Sequence, residues 1–86
     1  MIDITLEFFD RQTEFLEKKF EIQMPEGMIF KITETKDIQE IRTFGYDVTP
    51  EFIVYVQKHY SDIAQNFEFY DAQFTGTLDT MKQAGS

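Results

Sequence analysis

The chain has 86 residues, 42% of them hydrophobic, with ten Phe, four Tyr, no Trp and no Cys. Sixteen acids against eight bases leave a net charge of -8 and a pI near 4.4. That length makes one small domain, burying roughly 60–65% of the surface its unfolded chain exposes. The charge excludes nucleic acid and anionic membrane as partners, since both need Lys or Arg, and the lack of cysteine excludes disulfides and thiolate metal sites.

Ile2, Ile4, Leu6 and Phe8 alternate with Asp3, Thr5, Glu7 and Phe9, the period-2 pattern of a half-buried strand. The second face should meet solvent, yet it carries two carboxylates and ends in Phe9. Asp10, Arg11, Glu14 and Phe15 follow. Acids that steer and aromatics that anchor are what a surface docking on a basic protein needs; the plainer reading folds Phe9 over a neighbouring strand.

Residues 18–24 alternate again, with Phe20, Ile22 and Met24 on one face, and Met28, Phe30 and Ile32 resume the pattern after Pro25-Glu26-Gly27. This predicts a second and a third strand, 18–24 and 28–33, joined as a hairpin. Ile38 and Ile41 stand at helical spacing behind Asp37 as cap, with Gly45 beyond the end, predicting a short helix over 37–43. Thr49-Pro50-Glu51 is a helix start. It opens an apolar stripe of Phe52, Val56 and Tyr60 over 50–61, with a strand as the rival for this Val- and Ile-containing run. A last strand is predicted over 67–74, with Tyr70 and Phe74 on one face. The expected fold class is α+β: a small twisted antiparallel sheet of about four strands with one or two short helices. Residues 1–75 form the domain and 76–86 a frayed polar tail.

Catalytic chemistry is nearly absent. His59 is the only histidine and has no nucleophile in its sequence context. No glycine-rich phosphate loop, calcium loop or marked carboxylate pair is present. The reading is therefore no enzyme, no cofactor and no metal. A helix–turn–helix over 37–60 would carry too few basic residues for DNA. No apolar run approaches the ~20 residues of a membrane span, and no basic-then-apolar signal opens the chain. A soluble, cytoplasmic protein is expected.

Two segments resemble a known family. Phe8 to Phe15, F-F-D-R-Q-T-E-F, is similar to the W-F-D-[K/R]-x-T-E-x-F stretch near the N-terminus of the immunity proteins of cloacin and the ribosome-inactivating E-group colicins. Phe stands here for the first aromatic, and the last is one residue closer. Tyr46 to Tyr60 resembles that family's F-D-V-x-x-E-W-V-x-L-L-Q-x-x-F without a gap, with Tyr46, Asp47, Val48, Glu51, Phe52 and Gln57 in register. The family's Gly-Asp-rich middle is replaced here by residues 24–32, and its aromatic, acidic ending by a Thr-, Lys- and Gly-containing tail.

The resemblance implies a sheet that binds, through one face, the cytotoxic ribonuclease domain of a bacteriocin. The partner would be basic and bound one-to-one, and the free protein a monomer or weak dimer. In that family the residue before the aromatic-Asp-Val helps choose the toxin; here it is Gly45. The candidate partner-binding residues are Asp3, Glu7, Phe9, Asp10, Glu14, Phe15, Gly45, Tyr46, Asp47, Phe69 and Asp71. The acids would steer association, and Phe9, Phe15, Tyr46 and Phe69 would be desolvated anchors. Two other readings suit the composition: a phage-encoded acidic mimic of nucleic acid, aimed at a DNA-binding or defence protein, and a structural module whose aromatics form a homodimer.

Overall fold

The computed structural model describes residues 1–77. Its elements run β1 (Ile2–Phe9), β2 (Leu16–Met24), α1 (Glu26–Thr33), α2 (Ile38–Thr43), β3 (Tyr46–Asp47), α3 (Pro50–His59), α4 (Ser61–Ala64), a 3₁₀ turn (Gln65–Glu68) and β4 (Asp71–Gly76). The strands make one antiparallel sheet in the order β2-β1-β4-β3, so the architecture is α+β.

β1 is the central strand. Its alternation puts Ile4, Leu6 and Phe8 on one face, opposite Ile22, Phe20 and Lys18 of β2, while Leu6 faces Phe74 of β4. All the helices contribute to the core on this same face: Ile29 from α1, Ile41 from α2, Phe52 and Val56 from α3 and Ala64 from α4. The Phe52 ring stacks on Phe74 at 4.4 Å, and Phe8 is met edge-on by Phe20 and Phe67 at 6.0 and 5.3 Å. Each fully buried Phe, Leu or Ile contributes about 1.5–3 kcal/mol. Among the described residues, no helix packs over the other face of the sheet.

The turn between β1 and β2 is built by Asp10. One of its carboxylate oxygens accepts the N–H groups of Gln12 and Thr13, both at 2.8 Å. Its carbonyl accepts the N–H of Glu14, and its own N–H donates to Phe15. Glu14 closes the turn in the left-handed region, at φ 64°. At the far end of β2, Tyr55 donates to the Gln23 carbonyl and Tyr60 accepts the Gln23 N–H. The two tyrosines thereby tie α3 to the edge of the sheet, and burial, then the neighbouring Tyr60, pushes the Tyr55 phenol above its ordinary range.

Both expected helices form. Asp37 caps α2 through the Gln39 N–H, and Thr49 caps α3 through the Phe52 N–H. The strand expected over 28–33 is instead helix α1, and the expected hairpin at residues 25–27 does not exist. Met28, Phe30 and Ile32 alternate, but Ile29 between them is the fully buried residue. Together Met28, Ile29 and Ile32 are separated by one, three and four residues, the spacings that place side chains on a single helical face. Pro25 precedes the helix in an extended conformation and Glu26 opens it, a favourable start for the backbone dipole. The hairpin partner of β2 is β1.

The last strand begins at Asp71 rather than at residue 67. The Asn66 carbonyl accepts the N–H groups of both Phe69 and Tyr70, which prolongs helical geometry and delays the strand. That strand then runs past the expected boundary at 75. Gly76 lies in β4, and Thr77 donates its N–H to Asp3 and shares a 2.8 Å hydroxyl contact with Thr5. The remainder of the expected tail, 78–86, lies outside the described residues. Among the described residues no helix is long and apolar enough to cross a membrane.

Candidate functional site

The uncovered sheet face carries Asp3, Thr5, Glu7 and Phe9 on β1. Gln23, Glu21 and Lys19 stand opposite on β2, Thr75, Gln73 and Asp71 on β4, and Asp47 beyond them on β3. Five carboxylates therefore share the face with one lysine, because the polar positions of each strand's alternation point the same way.

Where β1 ends and β4 begins, this face runs into a groove of about 610 Å³. Phe9, Phe67, Tyr70, Ile53 and Val48 contribute its apolar lining. Glu14 from the turn, Asp47 from β3 and Asp71 from β4 contribute carboxylates, and Arg11 is its one basic lining residue among the described residues. Arg11 sits 3.7 Å from the Asp71 carboxylate and donates to the Phe67 carbonyl at 3.3 Å. Both contacts are long and solvent-exposed, in the range worth under ~1 kcal/mol.

Of the sequence-predicted residues, Phe9, Glu14, Asp47 and Asp71 meet in this groove. Glu7 joins its margin, opposite Gln73 on β4. Gly45 also touches Gln73: a Cβ there would lie 3.1 Å from the end of that side chain. No glycine in the described chain has a positive φ. Gly45 is therefore not a left-handed helix stop; α2 ends at Phe44, already extended, whose N–H bonds the Glu40 carbonyl.

The others lie apart. Asp3 stands six residues from Phe9 on β1, about 20 Å at strand rise, with the Gln23 side-chain amide on its carboxylate. Asp10 serves the turn. The backbone N–H groups of Thr13, then Gln12, hold its carboxyl below the ordinary value of 3.8. Tyr46 is half-buried, its ring stacked on Phe74 at 5.7 Å, so its ring is already committed to the core. Phe15 and Phe69 are 72% and 66% exposed and both lie outside the groove lining. Phe69 borders a shallower depression shared with Lys18 and Tyr70.

Sequence reasoning missed Arg11, Phe67 and Tyr70 as groove residues. A strand over 67–74 puts alternate residues on opposite faces, whereas the 3₁₀ turn brings Phe67 and Tyr70 to the same hollow. Leu16, beside Phe15 in sequence, is also exposed. His59 packs on the Tyr55 ring at 4.4 Å. Among the described residues, no three His, Cys, Asp or Glu side chains are grouped to hold a metal ion. Compared with protein-family models, curated proteins and solved structures, the chain has no match.

Proposed function

We propose that this protein binds and inhibits the basic cytotoxic ribonuclease domain of a bacteriocin, as an immunity protein of the cloacin and E-group colicin kind. The observation that carries the proposal is the groove: Phe9, Glu14, Asp47 and Asp71, singled out in sequence as partner-binding, line one hollow at the open end of the sheet. The resemblance of residues 8–15 and 46–60 supports the same end of the molecule, since both segments supply its lining.

Inhibition would work by occlusion. A nuclease domain that grips ribosomal RNA does so with basic residues, and an acidic face competes for those charges. Phe15, Leu16 and Phe69, exposed outside the groove, would supply apolar contact once water is expelled. The grouping of Glu14, Asp47 and Asp71 around Phe9, Phe67 and Tyr70 favours this over mimicry of nucleic acid, in which the acids would be spread over an elongated surface as backbone phosphates are.

The test is binding of the purified protein to ribonuclease domains of cloacin- and colicin-type toxins, with in vitro translation as the readout of protection. Tight one-to-one binding that restores translation is the expected result. If no such domain binds and a DNA-binding or defence protein does, the mimic reading replaces this one.

A further inference from the structure

The groove already contains a guanidinium. Arg11 reaches over from the β1–β2 turn to Asp71 and to the Phe67 carbonyl, in two long contacts with half the side chain in water. Three carboxylates against that one cation leave the groove with two net negative charges, and its walls include Phe9, Phe67 and Tyr70. Acid at the rim and aromatic faces on the walls suit a planar, weakly hydrated cation better than a compact ammonium, because a guanidinium both pairs with carboxylate and stacks on rings.

We infer that the groove is a socket for an arginine side chain of the basic partner, and that Arg11 is an internal occupant which the incoming arginine displaces. The inference rests on the proposed function for the identity of that partner, but the chemistry of the socket does not depend on it. Arg11 is well placed to yield. Its contacts are weak, it is carried on an exposed turn, and leaving them uncovers the Phe67 carbonyl and the Asp71 carboxylate as acceptors for the newcomer. While no partner is bound, Arg11 partly neutralises acids that would otherwise repel one another.

The consequence has a magnitude that simple charge counting does not give. Removing Arg11 should tighten binding of an arginine-bearing ligand more than removing any other cation does. The comparison is Arg11→Gln against Lys36→Gln, which makes the same change in net charge. Lys36 is exposed ahead of α2, a helix that meets β4 at Thr75 and Gly76 rather than at the groove.

The probe is a hexa-arginine peptide, titrated into the full chain and followed by amide chemical shifts, with hexa-lysine as the second arm. Expected are saturable shifts centred on Phe9, Ala72 and Gln73, weaker binding of hexa-lysine, and hexa-arginine binding about threefold tighter in Arg11→Gln than in Lys36→Gln, the scale of one exposed ion pair. Arg11→Met repeats the measurement with a side chain of similar length, and melting temperatures confirm that each variant is folded. Equal affinities in Arg11→Gln and Lys36→Gln, or shifts scattered over the acidic face, would overturn the socket even if a toxin domain binds. Conversely, failure of every toxin domain to bind, with the peptide results intact, would count against the proposed function and leave the socket standing.

Discussion

Phe8 and Phe9 are adjacent in sequence and opposite in consequence. Phe8 is fully buried among other rings, so Phe8→Ala should cost about 3–5 kcal/mol of stability. Phe15 is 72% exposed. Phe15→Ala should leave the melting temperature nearly unchanged yet weaken toxin-domain binding by about 2 kcal/mol, as removal of an interface anchor does. Phe9→Ala should show the same loss of affinity with a small loss of stability, since its ring is half-buried against the groove. Calorimetric melting and titration on the three variants give both numbers. A Phe15→Ala protein that binds as tightly as wild type would remove that ring from the interface. Asp10 makes a separate residue-scale prediction. The folded turn lowers its pKa, so its contribution to stability is fully present above the unfolded value and is lost as pH falls through the lower folded one. Protection of the Gln12 and Thr13 amides, measured relative to the intrinsic exchange rate at each pH, should fall on acidification through the carboxylate range. Asp10→Asn keeps an acceptor and should flatten that dependence.

At the level of elements, Thr49→Ala should destabilise the protein by about 1 kcal/mol by leaving the Phe52 N–H at the start of α3 without its cap. Glu34, left-handed at the end of α1 with φ 60°, offers the reverse: Glu34→Gly should stabilise by up to ~1 kcal/mol if the relief of strain outweighs the added freedom of the unfolded chain. Urea midpoints measure both. The caps of α2 and α3 were legible in the sequence because Asp37 and Thr49-Pro50 act on backbone two and three residues away. β1 was legible because both its faces follow period two without a break. α1 was not, because three alternating apolar residues satisfy a strand template while the fourth, Ile29, is what fixes the helix. The start of β4 was hidden for a related reason: the aromatic run 67–70 has strand composition, but Asn66 binds the following backbone into a turn. Part of the groove was legible, through Phe9, Glu14, Asp47 and Asp71. Its Phe67 and Tyr70 wall depends on that turn, and its one cation on an arginine whose direction no spacing rule fixes.

For the whole molecule the charge is the governing quantity. With a net charge of -8 and five carboxylates on one sheet face, association with a basic domain should slow steeply as added salt shortens the Debye length from ~10 Å at 0.1 M to ~3 Å at 1 M. Dissociation should change far less if the proposed apolar anchors hold the complex, because such contacts do not depend on ionic strength. Stopped-flow association across a salt series tests this. An on-rate indifferent to salt would mean that the acids serve solubility alone.

The pairing of β1 with β4 also constrains how such a chain is made. Ile4 lies beside Gly76 and Phe9 beside Asp71, so the central strand of the sheet waits for nearly the last described residues before its second edge is covered. Until then the sheet of a nascent chain consists of the β1–β2 hairpin with helices available to one face, and a two-stranded hairpin is marginal by itself in water. Its open edge and apolar face are those on which strand mispairing begins. Synthesis of β4, rather than emergence of the first strands, therefore sets the moment at which the central strand is paired on both edges. Ribosomes that stall before residue 71 would yield chains that are not weaker versions of the protein but aggregation-prone fragments of it.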